Sequence, residues 1–141
     1  MKEDWNSNKK LWQPTDNYLL LFRSATWYRD LDQEKANEIV AKWMDWYAGL
    51  VKSGVVETGR PLANEGKTVT APGVVKDGPF AEAKETVGGY FIVNAKSIDE
   101  AVAVANGCPA LTSGVQVEVR PMLEACPFSK TPVPKVEAAV A

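Results

Sequence analysis

The side chains able to do chemistry in this 141-residue chain are arginines, carboxylates, aromatics and two cysteines, because histidine is absent. That absence removes His-based general bases, Ser-His and Cys-His nucleophiles, His-ligated haem and most zinc sites. Cys108 is a nucleophile only as a thiolate, and no imidazole is at hand to make it one. Carboxylates alone would have to hold a metal ion, so neither a metal nor a cofactor is expected. In the run Val115–Met122 (VQVEVRPM), Glu118 and Arg120 stand two residues apart and so share one face of a strand. Arg23 joins them if the first and last strands pair. Such a trio reads either as an interface salt-bridge network or as a patch that grips a carboxylate through arginine's fork of donors. Trp43 and Trp46 recur at helical spacing, which suits core or dimer packing as well as the wall of a ligand cleft. Asp77 opens Asp77-Gly78-Pro79-Phe80, where it serves as a turn former or as an acid, and Phe80 is expected to fold back and anchor the turn.

These residues need elements to hold them. A hydrophobic content of 45% over this length gives one compact domain with a real core. A net charge of −2 leaves no basic face for nucleic acid. No apolar run approaches the roughly 20 residues that span a bilayer, and the polar stretch 1–16 lacks the apolar centre of a secretion signal. A cytoplasmic setting follows as an expectation. Two cysteines, Cys108 and Cys126, are too few for a disulfide framework; they form one bridge or stay as free thiols.

Along the chain, residues 1–16 read as a flexible arm. NYLLLFR (Asn17–Arg23) reads as a strand apolar on both faces, Tyr18/Leu20/Phe22 and Leu19/Leu21. A helix is expected from about Gln33 to Ser53, with Asp32 as its cap, Ile39, Trp43, Trp46, Tyr47 and Leu50 on one side, and Gly54 as its stop. Val55–Leu62 reads as a second strand. Lys67–Lys76 reads as two short β pieces broken at Ala71-Pro72-Gly73, making a protruding hairpin. Val87–Ala95 is a further strand, in which Gly88-Gly89 marks a bulge or a close backbone approach. Ser97-Ile98-Asp99-Glu100 is a capping box that opens a second helix, with Glu100 reaching back to the cap amide. Val115–Met122 closes the order, and 124–141 is a Pro-rich tail.

Strand, helix, strand, inserted hairpin, strand, helix, strand is an α+β order that closes most simply as a ferredoxin-like βαββαβ sandwich. Two helices cover one face of such a sheet. The doubly apolar strands need a cover on the other, and a second copy supplies it as a homodimer. The domain is expected over 17–123.

Asp77-Gly78-Pro79-Phe80-Ala81-Glu82-Ala83-Lys84-Glu85, then Gly88-Gly89-Tyr90-Phe91-Ile92, Ile98-Asp99-Glu100-Ala101, Cys108-Pro109 and Val117-Glu118-Val119-Arg120-Pro121 resemble the DGPF branch of the YCII-related family. The resemblance spans about Tyr18 to Met122 and implies a dimeric α+β barrel of ferredoxin-like subunits. Members of that branch are often described only as YCII-related or as companions of extracytoplasmic-function sigma factors. YCII-type members carry a helix histidine and an Asp-Pro aspartate, proposed as a catalytic pair; these positions fall here at Trp43 and Cys108. The dyad is therefore missing, since indole is no base.

Two function classes remain open at this stage. One is a dimer that binds a small acidic or carbonyl-bearing molecule near Arg23, Trp43, Asp77, Phe80, Cys108, Glu118 and Arg120. The other is a regulatory or protein-interaction module that uses the hairpin and the tail.

Overall fold

The computed structural model describes residues 14–78 and 85–124. Four antiparallel strands form the main sheet: β1 (Pro14–Arg23), β2 (Val56–Pro61), β5 (Val87–Asn94) and β6 (Gln116–Leu123), in the order β2-β5-β1-β6. β3 (Gly66–Ala71) and β4 (Val74–Gly78) form a separate two-stranded hairpin. Two helices, α1 (Gln33–Lys52) and α2 (Ile98–Ala105), complete the expected ferredoxin-like arrangement.

Register explains which side chains are covered. Leu20 lies opposite Phe91 and Val119, so these side chains share a face, along with Tyr18, Phe22 and Val93. Leu20 and Val93 are fully buried there, clustered with Ile39 of α1 and with Ala101 and Ala105 of α2. Small residues on α2 let it lie close to the sheet. The bulky stripe of α1 packs its rings directly on Phe22, with Trp43 at 5.0 Å and Trp46 at 6.1 Å between centroids. On the opposite face Leu19, Leu21, Tyr90 and Ile92 are only half-buried, since both helices lie on the other side.

The helix ends follow the capping signals. Asp32 accepts a hydrogen bond from the Lys35 amide at 2.7 Å, and Gly54 turns out of α1 with φ +81°. Ser97 accepts from the Glu100 amide at 3.1 Å. Glu100 differs from expectation by one residue: its carboxylate accepts from the Lys96 amide at 2.6 Å, not from that of Ser97. Either bond satisfies an amide at the helix entrance.

Three further differences concern boundaries. β1 begins at Pro14, three residues early, because Thr15 Oγ1 donates to the Met122 carbonyl (3.0 Å) and ties the extra residues to β6. A proline is tolerated at a strand's first residue, where no ladder donor is required. The hairpin expected over Lys67–Lys76 is present, as a ladder that runs one residue earlier and two later, from Gly66 to Gly78, turned at Gly73 with φ +75°. Asp77 continues β4, and its carboxylate crosses to Lys67 at 2.7 Å; the turn that follows, residues 79–84, lies outside the described residues. Both partners are well exposed, and such a pair contributes little stability. Phe80, the arm up to residue 13, Cys126 and the proline-rich tail lie outside the described residues.

Candidate functional site

A cavity of about 400 Å³ opens between the middle of α1 and one end of the main sheet. Antiparallel pairing brings the end of β1, the end of β2, the start of β5 and the start of β6 to that same end. Its walls are the rings of Phe22, Trp27, Trp43, Tyr47 and Phe91. Trp27 and Trp43 lie stacked, with centroids 6.4 Å apart and planes at 22°. Val40 and Met44 stand at its edge on α1, 49% and 59% exposed. The volume falls in the range of small-molecule pockets, roughly 300–1,000 Å³.

Backbone makes the floor. Gly59, Gly88 and Gly89 line it, and the β1–β5 register slips at this point, leaving Gly88 as the extra residue of a bulge. A methyl group on Gly59 would come within 2.6 Å of the Phe91 ring, and one on Gly89 within 2.9 Å of the Arg60 carbonyl. The close approach expected from the glycine pair is thus a contact between β5 and its neighbours.

Polar groups are few. Arg23 is committed: its guanidinium lies 3.2 Å from Glu118 and donates to the Glu85 carbonyl at 2.7 Å. Arg60, also on the lining, pairs with Tyr90 and so carries its side chain on the sheet face opposite the helices; it is exposed and makes no ion pair among the described residues. Among the described residues, no carboxylate, thiol or amine is on the lining. The lining therefore offers aromatic faces and the Tyr47 phenol, while Arg23 and Arg60 reach it from strand positions whose side chains share the open sheet face, and this suits holding a ligand more than moving a proton.

The seven residues singled out from the sequence divide sharply. Arg23 and Trp43 line the cavity. Glu118 and Arg120 sit beside Arg23 on the open sheet face, where Glu118 binds both arginines, Arg120 at 3.4 Å. Cys108 is buried in the core next to α2, away from the lining, and burial pushes its thiol pKa up even though the backbone of Ala110 and Leu111 hydrogen-bonds it. A protonated, enclosed thiol is a poor nucleophile. Asp77 lies on the hairpin and is absent from the lining; Phe80 falls outside the described residues.

Sequence reasoning passed over Trp27 and Arg60. Trp27 sits in a short 3-10 turn (Trp27–Asp30) between β1 and α1; Ser24, at φ +68°, swings that turn beneath α1. One signal was present, a large indole in an otherwise polar loop, which has reason to fold back onto apolar surface. Arg60 carried no signal beyond its place between Gly59 and Pro61.

A family model described as the YCII-related domain matches residues 21–124. An uncharacterised protein of Rhizobium meliloti strain 1021 is 34% identical over 95 residues, which cover 67% of this chain and 71% of that protein. Among solved structures, 5-chloro-2-hydroxyhydroquinone dehydrochlorinase from Burkholderia phenoliruptrix AC1100, in complex with 2,5-dihydroxybenzoquinone, is 17% identical with a TM-score of 0.44, covering 77% of this chain and 95% of its own. The family match runs from the middle of β1 to just past β6, taking in the cavity and both helices, and the chain belongs to the YCII-related family.

Proposed function

We propose that this chain is a small-molecule-binding protein that works as a homodimer, with its site in the cavity beside Trp43. The observation that carries the reading is a cavity of about 400 Å³ with aromatic walls. Binding pockets share that make-up, mostly apolar with a few convergent polar groups. The ligand is small and partly apolar, with an acidic or carbonyl group. A reducing, cytoplasmic setting suits a chain whose Cys108 is a free buried thiol.

Dimerisation rests on the open sheet face. Leu19, Leu21, Tyr90 and Ile92 have no helix over them, and the Arg23–Glu118–Arg120 cluster borders them. Light scattering at low micromolar concentration is expected to give twice the 15.4 kDa chain mass. A species of single mass throughout that range overturns the dimer.

The ligand site is tested at its mouth. Met44→Trp places a second large ring at the cavity edge on an exposed helix position, where it leaves the core alone. A screen of small acids, amides and alcohols followed by NMR is expected to shift the Trp27 and Trp43 indole signals, and Met44→Trp to abolish the shifts without lowering Tm. A screen that moves neither indole removes the reading.

The regulatory or protein-interaction reading, in which the chain accompanies sigma-factor-dependent transcription, has one observation in its favour. The β3–β4 hairpin exposes Val69, Val74 and Val75 at 69%, 44% and 53%, and an isolated two-stranded hairpin is marginally stable alone. Silence at both indoles, with hairpin signals shifted by a protein partner, selects it.

A further inference from the structure

We infer that the cavity takes an uncharged, ring-bearing ligand with a carbonyl acceptor, that Tyr47 donates to that carbonyl, and that charged molecules are turned away. This rests on the small-molecule reading and chooses between the two head groups which that reading allows.

Charge is the first argument. The register sets Arg60 beside Tyr90 on the sheet face that the helices leave open. Arg23 follows Phe22 along β1 and so points to that same face, where its guanidinium meets Glu118 and the Glu85 carbonyl. The other polar side chains on the lining are Ser24, the phenols of Tyr47 and Tyr90, and the indoles of Trp27 and Trp43, all of them neutral groups. An ion that left water for these aromatic walls would find no opposite charge aimed at it, and a buried charge is tolerated only when paired. A neutral molecule gives up only hydrogen bonds that a pocket can replace.

The direction of hydrogen bonding is the second. The Tyr47 hydroxyl and the indole N–H groups of Trp27 and Trp43 make no hydrogen bond among the described residues, yet each polar atom remains accessible. An indole N–H only donates, and a phenol donates readily, so this side of the lining calls for an acceptor. A carbonyl oxygen supplies one without bringing a charge. Tyr47 stands one turn beyond Trp43 on α1, its ring 5.0 Å from that of Phe91 on the sheet. The wall rings already meet edge to face, Phe22 with Trp43 at 5.0 Å and with Phe91 at 4.7 Å. A ring on the ligand extends that packing and gains from it beyond simple burial.

The experiment titrates acetophenone, benzoate and isopropylbenzene, three probes of similar shape, into the full chain and its Tyr47→Phe variant, following the Trp27 and Trp43 indole signals by NMR. Acetophenone is expected to bind at least about tenfold more tightly than benzoate, whose charge must be stripped of water, and to hold its affinity as salt is added. Tyr47→Phe keeps the ring and is expected to weaken acetophenone about two- to tenfold, the share of one neutral hydrogen bond, while isopropylbenzene binds as before. A merely structural role for Tyr47 would move both probes together. Benzoate binding as tightly as acetophenone overturns the exclusion of charge and leaves the small-molecule reading standing. Acetophenone held equally by both chains, or isopropylbenzene weakened alongside it, overturns the part given to Tyr47. If none of the three probes moves either indole, the inference is overturned, and the broader reading is decided by its own screen with Met44→Trp.

Discussion

Phe22→Ala is expected to destabilise the fold by roughly 3–5 kcal/mol, the range for truncating a buried Phe. The ring is 5% exposed and touches Trp43, Trp46 and Phe91 with centroids 5.0, 6.1 and 4.7 Å away, all edge to face. Those neighbours belong to α1 and β5, so the ring joins the helix to the centre of the sheet. None of the three can swing into the vacated space without breaking its contact with another ring. The void also adjoins the ligand cavity, which Phe22 lines. Urea unfolding should show the loss as a lower midpoint with little change in slope. A loss under about 1 kcal/mol would mean that the aromatic cluster repacks freely, and the cavity walls would then be no fixed slot.

Adding a single methyl group at Gly59 should also be costly. The new Cβ of Gly59→Ala would lie 2.6 Å from Phe91 Cδ1 and 2.8 Å from the Tyr90 carbonyl oxygen. One neighbour is backbone within the β2–β5 ladder, and the other is a ring wedged among Phe22, Trp46 and Tyr47. Relief requires β2 to move away from β5 or Phe91 to leave its place. Overpacking of this kind costs typically 1–3 kcal/mol and occasionally more, and the upper part of that range is expected. An alanine normally favours strand formation over glycine, so propensity alone predicts the opposite sign. Thermal unfolding that finds Gly59→Ala as stable as the native chain would show that β2 and β5 slide apart easily. The cavity floor would then be soft.

The ferredoxin-like order could be read from the chain because each element carries its own local signal. Asp32 and Ser97 announce helix starts through side chains that satisfy amides a few residues away. Tyr18, Leu20 and Phe22 alternate with Leu19 and Leu21 and so mark a central strand. The pairing of β1 with β6, which brings Arg23 to Glu118, followed from topology once the order was known. Local periodicity and short-range capping need no tertiary contact to be legible.

The site was different in kind, because a cavity is defined by residues distant in sequence and by side chains that are missing. Trp43 was visible from its helical spacing, yet its stacking partner Trp27 is placed by a turn at Ser24 that no periodicity encodes. Arg60 comes to the lining only because β2 pairs with β5, and the same pairing sets its side chain beside Tyr90 on the opposite sheet face. Cys108 matched a family motif position, but the end of α2 carries it into the core, where desolvation keeps the thiol protonated. Asp77 looked like a turn and became a strand residue, because cross-strand pairing with Lys67 extends the ladder past it. Helices and strands are determined by interactions a few residues long, which the sequence spells out. Which cation remains unpaired, and where the packing leaves a space, depend on long-range register, and only the folded chain decides them.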